Sequence, residues 1–99
     1  QCPYPKAKTR YCEMARFVGI TGGNEDEIFE KFVESVAALK EKVGLKRTIK
    51  EYGVAEADFM RTLDDMVENA FNDQCTGANP RYPLMSEIKE LYLKAFHGV

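Results

Sequence analysis

One histidine, His97, and three cysteines, Cys2, Cys12 and Cys75, are all the imidazole and thiol groups that this 99-residue chain offers. The cysteines are odd in number, far apart and in no Cys-x-x-Cys pair. That fits reduced thiols rather than a disulfide scaffold, and nothing in the spacing makes a four-ligand zinc site. No apolar run approaches the ~18 residues that read as a membrane span, and the N-terminus lacks the basic, apolar, small-residue order of a signal peptide. The expected compartment is therefore the cytosol. Charge of one sign is lacking as well: 14 basic and 16 acidic residues are mixed along the chain, for a net charge of -2. No one-sided basic field is available for nucleic acid or anionic lipid. P-loop, His-Glu-x-x-His and Gly-x-Ser-x-Gly strings are absent too, so these residues contain no complete active site of their own.

What is present is a soluble globular balance, 44% hydrophobic and 30% charged, at the length of one small domain. The chain opens on Gln1 without an initiator methionine, which points to a piece of something longer. Glycines fall between or after periodic apolar segments and never inside one, and no stretch alternates apolar and polar over strand length. An all-α fold is predicted, a bundle of four long helices plus one short helix. The first runs from Pro5, suited to position N1, to Val18, with Gly19 just beyond its end and Ala7, Tyr11, Met14, Ala15 and Val18 on one face. The second begins at Asn24, whose side chain can cap while Glu27 reaches back, and stops at Gly44. Its stripe is Ile28, Phe29, Phe32, Val33, Val36, Leu39 and Val43.

A short helix over 48–52 follows from the Thr48 and Glu51 capping pair, with Gly53 ending it. A long helix over about 56–71 buries Phe59, Leu63, Met66, Val67, Ala70 and Phe71 and leaves Asp64 and Asp65 to solvent. The last helix, over about 85–97, carries Ile88, Leu91, Tyr92, Ala95 and Phe96. One core shared by the four long helices is expected. The apolar positions of the last helix spread over about 200°, against about 140° for the Phe59 helix, and the first helix is similarly broad. The breadth implies that the first and last helices also contact protein outside this chain.

The least ordinary stretch is the connector from Asn72 to Pro83. Gly77 permits a positive φ, Pro80 drives Asn79 towards extended geometry, and Pro83 sets the entry to the next helix. By its own composition it reads either as a plain helix link or as a loop that presents side chains. Cys75 has no nearby histidine to act as base and reads as a packed or cleft-lining thiol rather than a nucleophile. Arg81 could bind an anion through its planar fork, or serve as a salt bridge or carbonyl clamp. His97 sits where a helix end favours a cation, and Lys46, Arg47 and Lys50 make a small basic spot that reads as wet surface.

The string Asp73-Gln74-Cys75-Thr76-Gly77-Ala78-Asn79-Pro80-Arg81, followed by Glu87-Ile88-Lys89-Glu90-Leu91-Tyr92, closely resembles the C-terminal end of the iron-dependent alcohol dehydrogenases. Arg10-Tyr11, the run from Leu39 to Leu45 and the run from Ile49 to Val54 are similar as well. The longer string from Phe71 to Leu84 looks most like the alcohol dehydrogenase half of bifunctional aldehyde-alcohol dehydrogenases. The likeness covers essentially the whole chain. It implies a parent enzyme that reduces acetaldehyde to ethanol with NADH on an Fe(II) centre, of which residues 1–99 form the all-helical C-terminal portion. The family's dinucleotide motif and its iron ligands precede the matched region, so the resemblance brings no catalytic, NAD-binding or metal residue to this chain. What it carries over is the connector: Cys75 becomes a candidate wall of the substrate cleft, with Thr76 and Asn79 shaping the loop. The implied partners are the remainder of the dehydrogenase and, at full length, further copies of it, with no nucleic acid and no membrane. Two departures stand out: family members usually have proline near the place of Lys46 and a capping Ser or Thr at the place of Ala55. A rival from another class is an autonomous helical module that binds a partner through broad apolar faces.

Overall fold

A computed structural model describes residues 5–98. Four α-helices appear, α1 (Pro5–Phe17), α2 (Glu25–Lys42), α3 (Glu56–Asn72) and α4 (Met85–His97), with no strand among the described residues. Two single 3-10 turns, Lys50–Tyr52 and Thr76–Ala78, lie in the connections. The predicted short helix is the first of these, shorter than expected, with the Thr48 half of the expected capping pair in place and Glu51 reaching one residue further back, to Arg47. Thr48 Oγ1 accepts from the Glu51 N–H at 3.1 Å, and Glu51 Oε2 accepts from the Arg47 N–H at 3.1 Å. The second turn, inside the connector, was not foreseen. Cys2 lies outside the described residues; Cys12 and Cys75 are both free thiols.

The helix ends follow local chemistry. Asn24 Oδ1 accepts from the Glu27 N–H at 2.9 Å, and Glu27 Oε2 accepts from the Gly23 N–H at 3.0 Å, so donors that the first turn leaves orphaned are satisfied. At the other end of α2 the Leu45 N–H reaches Lys40 O and the Gly44 N–H reaches Glu41 O. That paired closure needs a left-handed residue, and Gly44 supplies it at φ 81°. Gly98 closes α4 at φ 82°, and a β-carbon there would lie 2.7 Å from Thr48 Cγ2, so this position excludes a side chain twice over.

The chain divides into two compact units, one ending at Leu45 and the other starting at Lys46. Instead of the single expected core, two buried clusters form, one in each unit. In the first, α1 packs on α2 around Cys12, Ala15 and Ile28. The buried face of α1 therefore runs through Cys12 and Ala15, whereas Tyr11, Met14 and Val18, expected inside, are exposed. The Cys12 thiol donates to Glu25 O at 3.3 Å, and a Lys8–Asp26 ion pair joins the same two segments.

The stripe predicted for α2 is only partly covered. Ile28 is buried and Phe29 and Phe32 are half-buried, but Val33, Val36, Leu39 and Val43 are exposed. Length explains this: α1 has 13 residues against 18 in α2, and at ~1.5 Å per residue it cannot shield the last turns of its partner.

In the second unit, α3 packs on α4 around Phe59, Leu63, Val67, Ile88 and Phe96, with Met66, Ala70, Phe71, Tyr92 and Leu93 partly buried against them. The face predicted for α3 is the face buried. Phe59 and Phe96 stack with ring centroids 4.4 Å apart. The Ile49 N–H donates to Ala95 O at 3.0 Å and fastens the first 3-10 turn to α4. No helix among the described residues is long and apolar enough to cross a membrane.

Candidate functional site

The connector between α3 and α4 is held by its own side chains at almost every step. Helix α3 stops because Asp73 turns extended, at φ -64° and ψ 136°. Asp73 Oδ1 then accepts from the Cys75 N–H at 2.7 Å. The Thr76 hydroxyl donates back to Ala70 O in the last turn of α3. Backbone bonds from Thr76 N to Asp73 O, Ala78 N to Cys75 O and Asn79 N to Thr76 O, at 3.1 to 3.2 Å, wind the segment into its 3-10 turn.

Beyond the turn, Asn79 is extended at φ -66° and ψ 141°, the geometry Pro80 imposes on the residue before it, and its Nδ2 donates to Arg81 O. Arg81 pairs with Glu87 on α4, so its fork serves as a salt bridge rather than a free anion site. Glu87 uses its other oxygen, Oε2, to accept from the Leu84 N–H at 2.8 Å. The Leu84 N–H is the main reason the Glu87 carboxyl sits below the usual carboxylate range; burial opposes the shift and Arg81 adds to it. Tyr82 meets Phe71 edge-on, with centroids 5.7 Å apart.

Gly77 does not adopt the positive φ that the sequence allowed. A β-carbon there would make ordinary contact with the Tyr82 ring, at 4.0 Å from Cε2. Neither the left-handed freedom of glycine nor the space of a missing β-carbon is therefore used at this position.

Of the three residues expected to line a cleft, Thr76 borders a depression among the described residues. Met66, Asn69, Ala70, Asp73, Thr76 and Tyr92 surround an open depression of about 460 Å³. Cys75 and Asn79 are exposed and lie outside its lining. A larger depression, about 730 Å³, lies in the first unit among Tyr11, Phe29, Phe32, Val33, Val36 and Lys40. Sequence reasoning missed it; the signal was the aromatic and valine spacing of α2, read as core. Among the described residues no three His, Cys, Asp or Glu side chains gather as metal ligands. Lys46, read as wet surface, has structural work: its ammonium donates to Glu51 O at 2.9 Å and lies 5.3 Å from the Tyr52 ring centroid.

Residues 1–96 match the profile of the Fe-containing alcohol dehydrogenase family, C-terminal. The chain belongs to that family. Its relatives in the family include the bifunctional aldehyde-alcohol dehydrogenase of Escherichia coli (strain K12), 44% identical over 95% of this chain and 11% of that protein. The aldehyde-alcohol dehydrogenase of Clostridium acetobutylicum is 40% identical over 96% of this chain and 11% of its own length. The NADPH-dependent butanol dehydrogenase of Clostridium saccharobutylicum is 32% identical over 90% of this chain and 23% of its own. The chain thus spans about a ninth of the aldehyde-alcohol dehydrogenases and under a quarter of the shorter alcohol dehydrogenase. As in the expectation from sequence, α3 starts at Ala55 with no side-chain cap.

Proposed function

We propose that residues 1–99 are the C-terminal all-helical portion of an iron-dependent, NAD-linked alcohol dehydrogenase domain that interconverts acetaldehyde and ethanol, within a bifunctional aldehyde-alcohol dehydrogenase. The observation that carries this reading is the 44% identity to the Escherichia coli enzyme along 95% of the chain. NADPH in the name of the butanol dehydrogenase leaves the choice of nicotinamide coenzyme to the rest of the enzyme.

The donor set of the described residues does not fit an iron site, so the metal and the coenzyme are assigned to the remainder of the protein. The role of this segment is to shape the cleft and exclude water: Cys75, Thr76 and Asn79 wall the substrate side. Bare apolar residues, Phe17 at 92% exposure, Val18, Leu39, Val43 and Leu91 among them, are the faces that the rest of the enzyme, and further copies of it, cover. A cytosolic enzyme without nucleic-acid or membrane partners fits this picture.

The isolated chain is inactive in this reading. Assayed with Fe(II), NADH and acetaldehyde it gives the background rate; clear turnover overturns the assignment to a fragment. Sedimentation separates the rival. Self-association or marginal stability is expected of a segment stripped of its cover, whereas a monodisperse monomer with one cooperative melt favours an autonomous interaction module.

A further inference from the structure

We propose that Glu87 and Arg81 are positioning residues: the pair clamps the connector to α4 and thereby sets the place of the Cys75–Asn79 turn. Four observations converge on this clamp. Arg81 pairs with Glu87 Oε1, and Glu87 Oε2 takes the Leu84 N–H at 2.8 Å, so both carboxylate oxygens are committed. Asn79 is tied to the backbone of Arg81. Tyr82, next along the chain, lies over Gly77 and edge-on to Phe71 of α3.

Fixing Arg81 therefore fixes two neighbours that lean on the turn, one through a hydrogen bond and one through a ring. On the other side the turn is tied to α3 by Asp73 and Thr76. The connector is braced from both helices, and the Arg81–Glu87 pair is its only side-chain tie to α4 among the described bonds. The kinetic consequence rests on the cleft-wall reading; the positioning itself rests on geometry alone.

Glu87→Gln tests the clamp, because an amide offers one acceptor oxygen and cannot serve Arg81 and the Leu84 N–H together. Hydrogen exchange followed by mass spectrometry on the full-length enzyme should show residues 73–83 exchanging about fivefold faster, the scale set by loss of one exposed charged tie, while residues 56–71 keep their rate. Arg81→Lys, which retains the charge opposite Glu87, should keep most of the protection. Unchanged exchange in the connector, or an equal rise in α3, overturns the clamp.

In the full-length enzyme Glu87→Gln should raise KM for the aldehyde about fivefold with kcat within about twofold, the split expected when a wall shifts and the chemistry stays. Faster connector exchange with unchanged kinetics would leave the clamp standing and refute the cleft wall instead.

Discussion

Helix α3 starts at Ala55 without a side-chain cap, and supplying one there should stabilise the second unit measurably. The residue has the backbone of an N-cap, φ -69° and ψ 137°, and its carbonyl accepts the first helical bond from Phe59 N at 3.0 Å. It lacks only the side-chain oxygen that Asn24 supplies to α2. In Ala55→Ser the new hydroxyl would sit within reach of the Asp58 N–H, one of the donors that the first turn leaves unsatisfied. The position is exposed, so the added atom displaces only water. A Ser, Thr, Asp or Asn cap is worth about 1 kcal/mol over alanine. In a small domain that raises Tm by about 4 to 8 °C. Thermal melts followed by circular dichroism read the shift. Ala57→Ser, one turn position inside the helix, is the control. It adds the same hydroxyl where it cannot cap, and lower helix propensity should cost about 0.5 kcal/mol. If Ala55→Ser melts at or below the unmodified chain, or if both substitutions act alike, the capping argument fails.

Leu63→Ala should cost about 2 to 5 kcal/mol, because the side chain is 1% exposed at the centre of the α3–α4 core. Val33→Ala, on the bare part of α2, should stay within about 0.5 kcal/mol; denaturant titration compares the two, and similar losses would contradict the two burial patterns. Acid should loosen the start of α2. The Gly23 N–H first, and Lys31 after it, hold the Glu27 carboxyl below its ordinary range, so this contribution is complete above the unfolded value and fades as pH falls through the lower folded one. An NMR titration of α2 below about pH 4.3 should show this component, and Glu27→Gln should remove it; an identical acid response in the variant would refute the linkage. Cys75→Phe in the full-length enzyme should raise KM or lower kcat without loss of fold. Unchanged kinetics would return the thiol to a purely structural role.

Local chemistry was legible residue by residue, and longer-range cover was not. The Asn24 and Glu27 pair, the Thr48 bond to Glu51 and the glycine closures at 44 and 98 depend on near neighbours, and they stand in the structure as read. The α3 stripe was also legible, because α3 and α4 are long enough to bury one another along Phe59, Leu63 and Val67. The stripe of α2 has the same periodicity and a different fate. A helical repeat says that a face wants cover, and carries no mark of who provides it. In α2 the cover inside the chain ends near Phe32, and Val33 to Val43 stand open.

The same limit explains the connector. Pro80 imposes its constraint through the chain and was readable, but the ring of Tyr82 over Gly77 and the reach of Arg81 to Glu87 join residues five and six positions apart across irregular backbone. No period governs such pairs, and glycine at 77 was read as a torsional device although its φ is not positive. The cleft-wall residues are a further step removed. Cys75 and Asn79 are exposed and lie outside the depression that Thr76 borders. On the proposed reading the rest of the enzyme supplies the facing wall, and an exposed cysteine on a tightly braced turn is what one half of a cleft should look like. On that reading the bracing holds a shape for the facing surface, and a loop with no such surface to meet would gain little from ties to both of its helices.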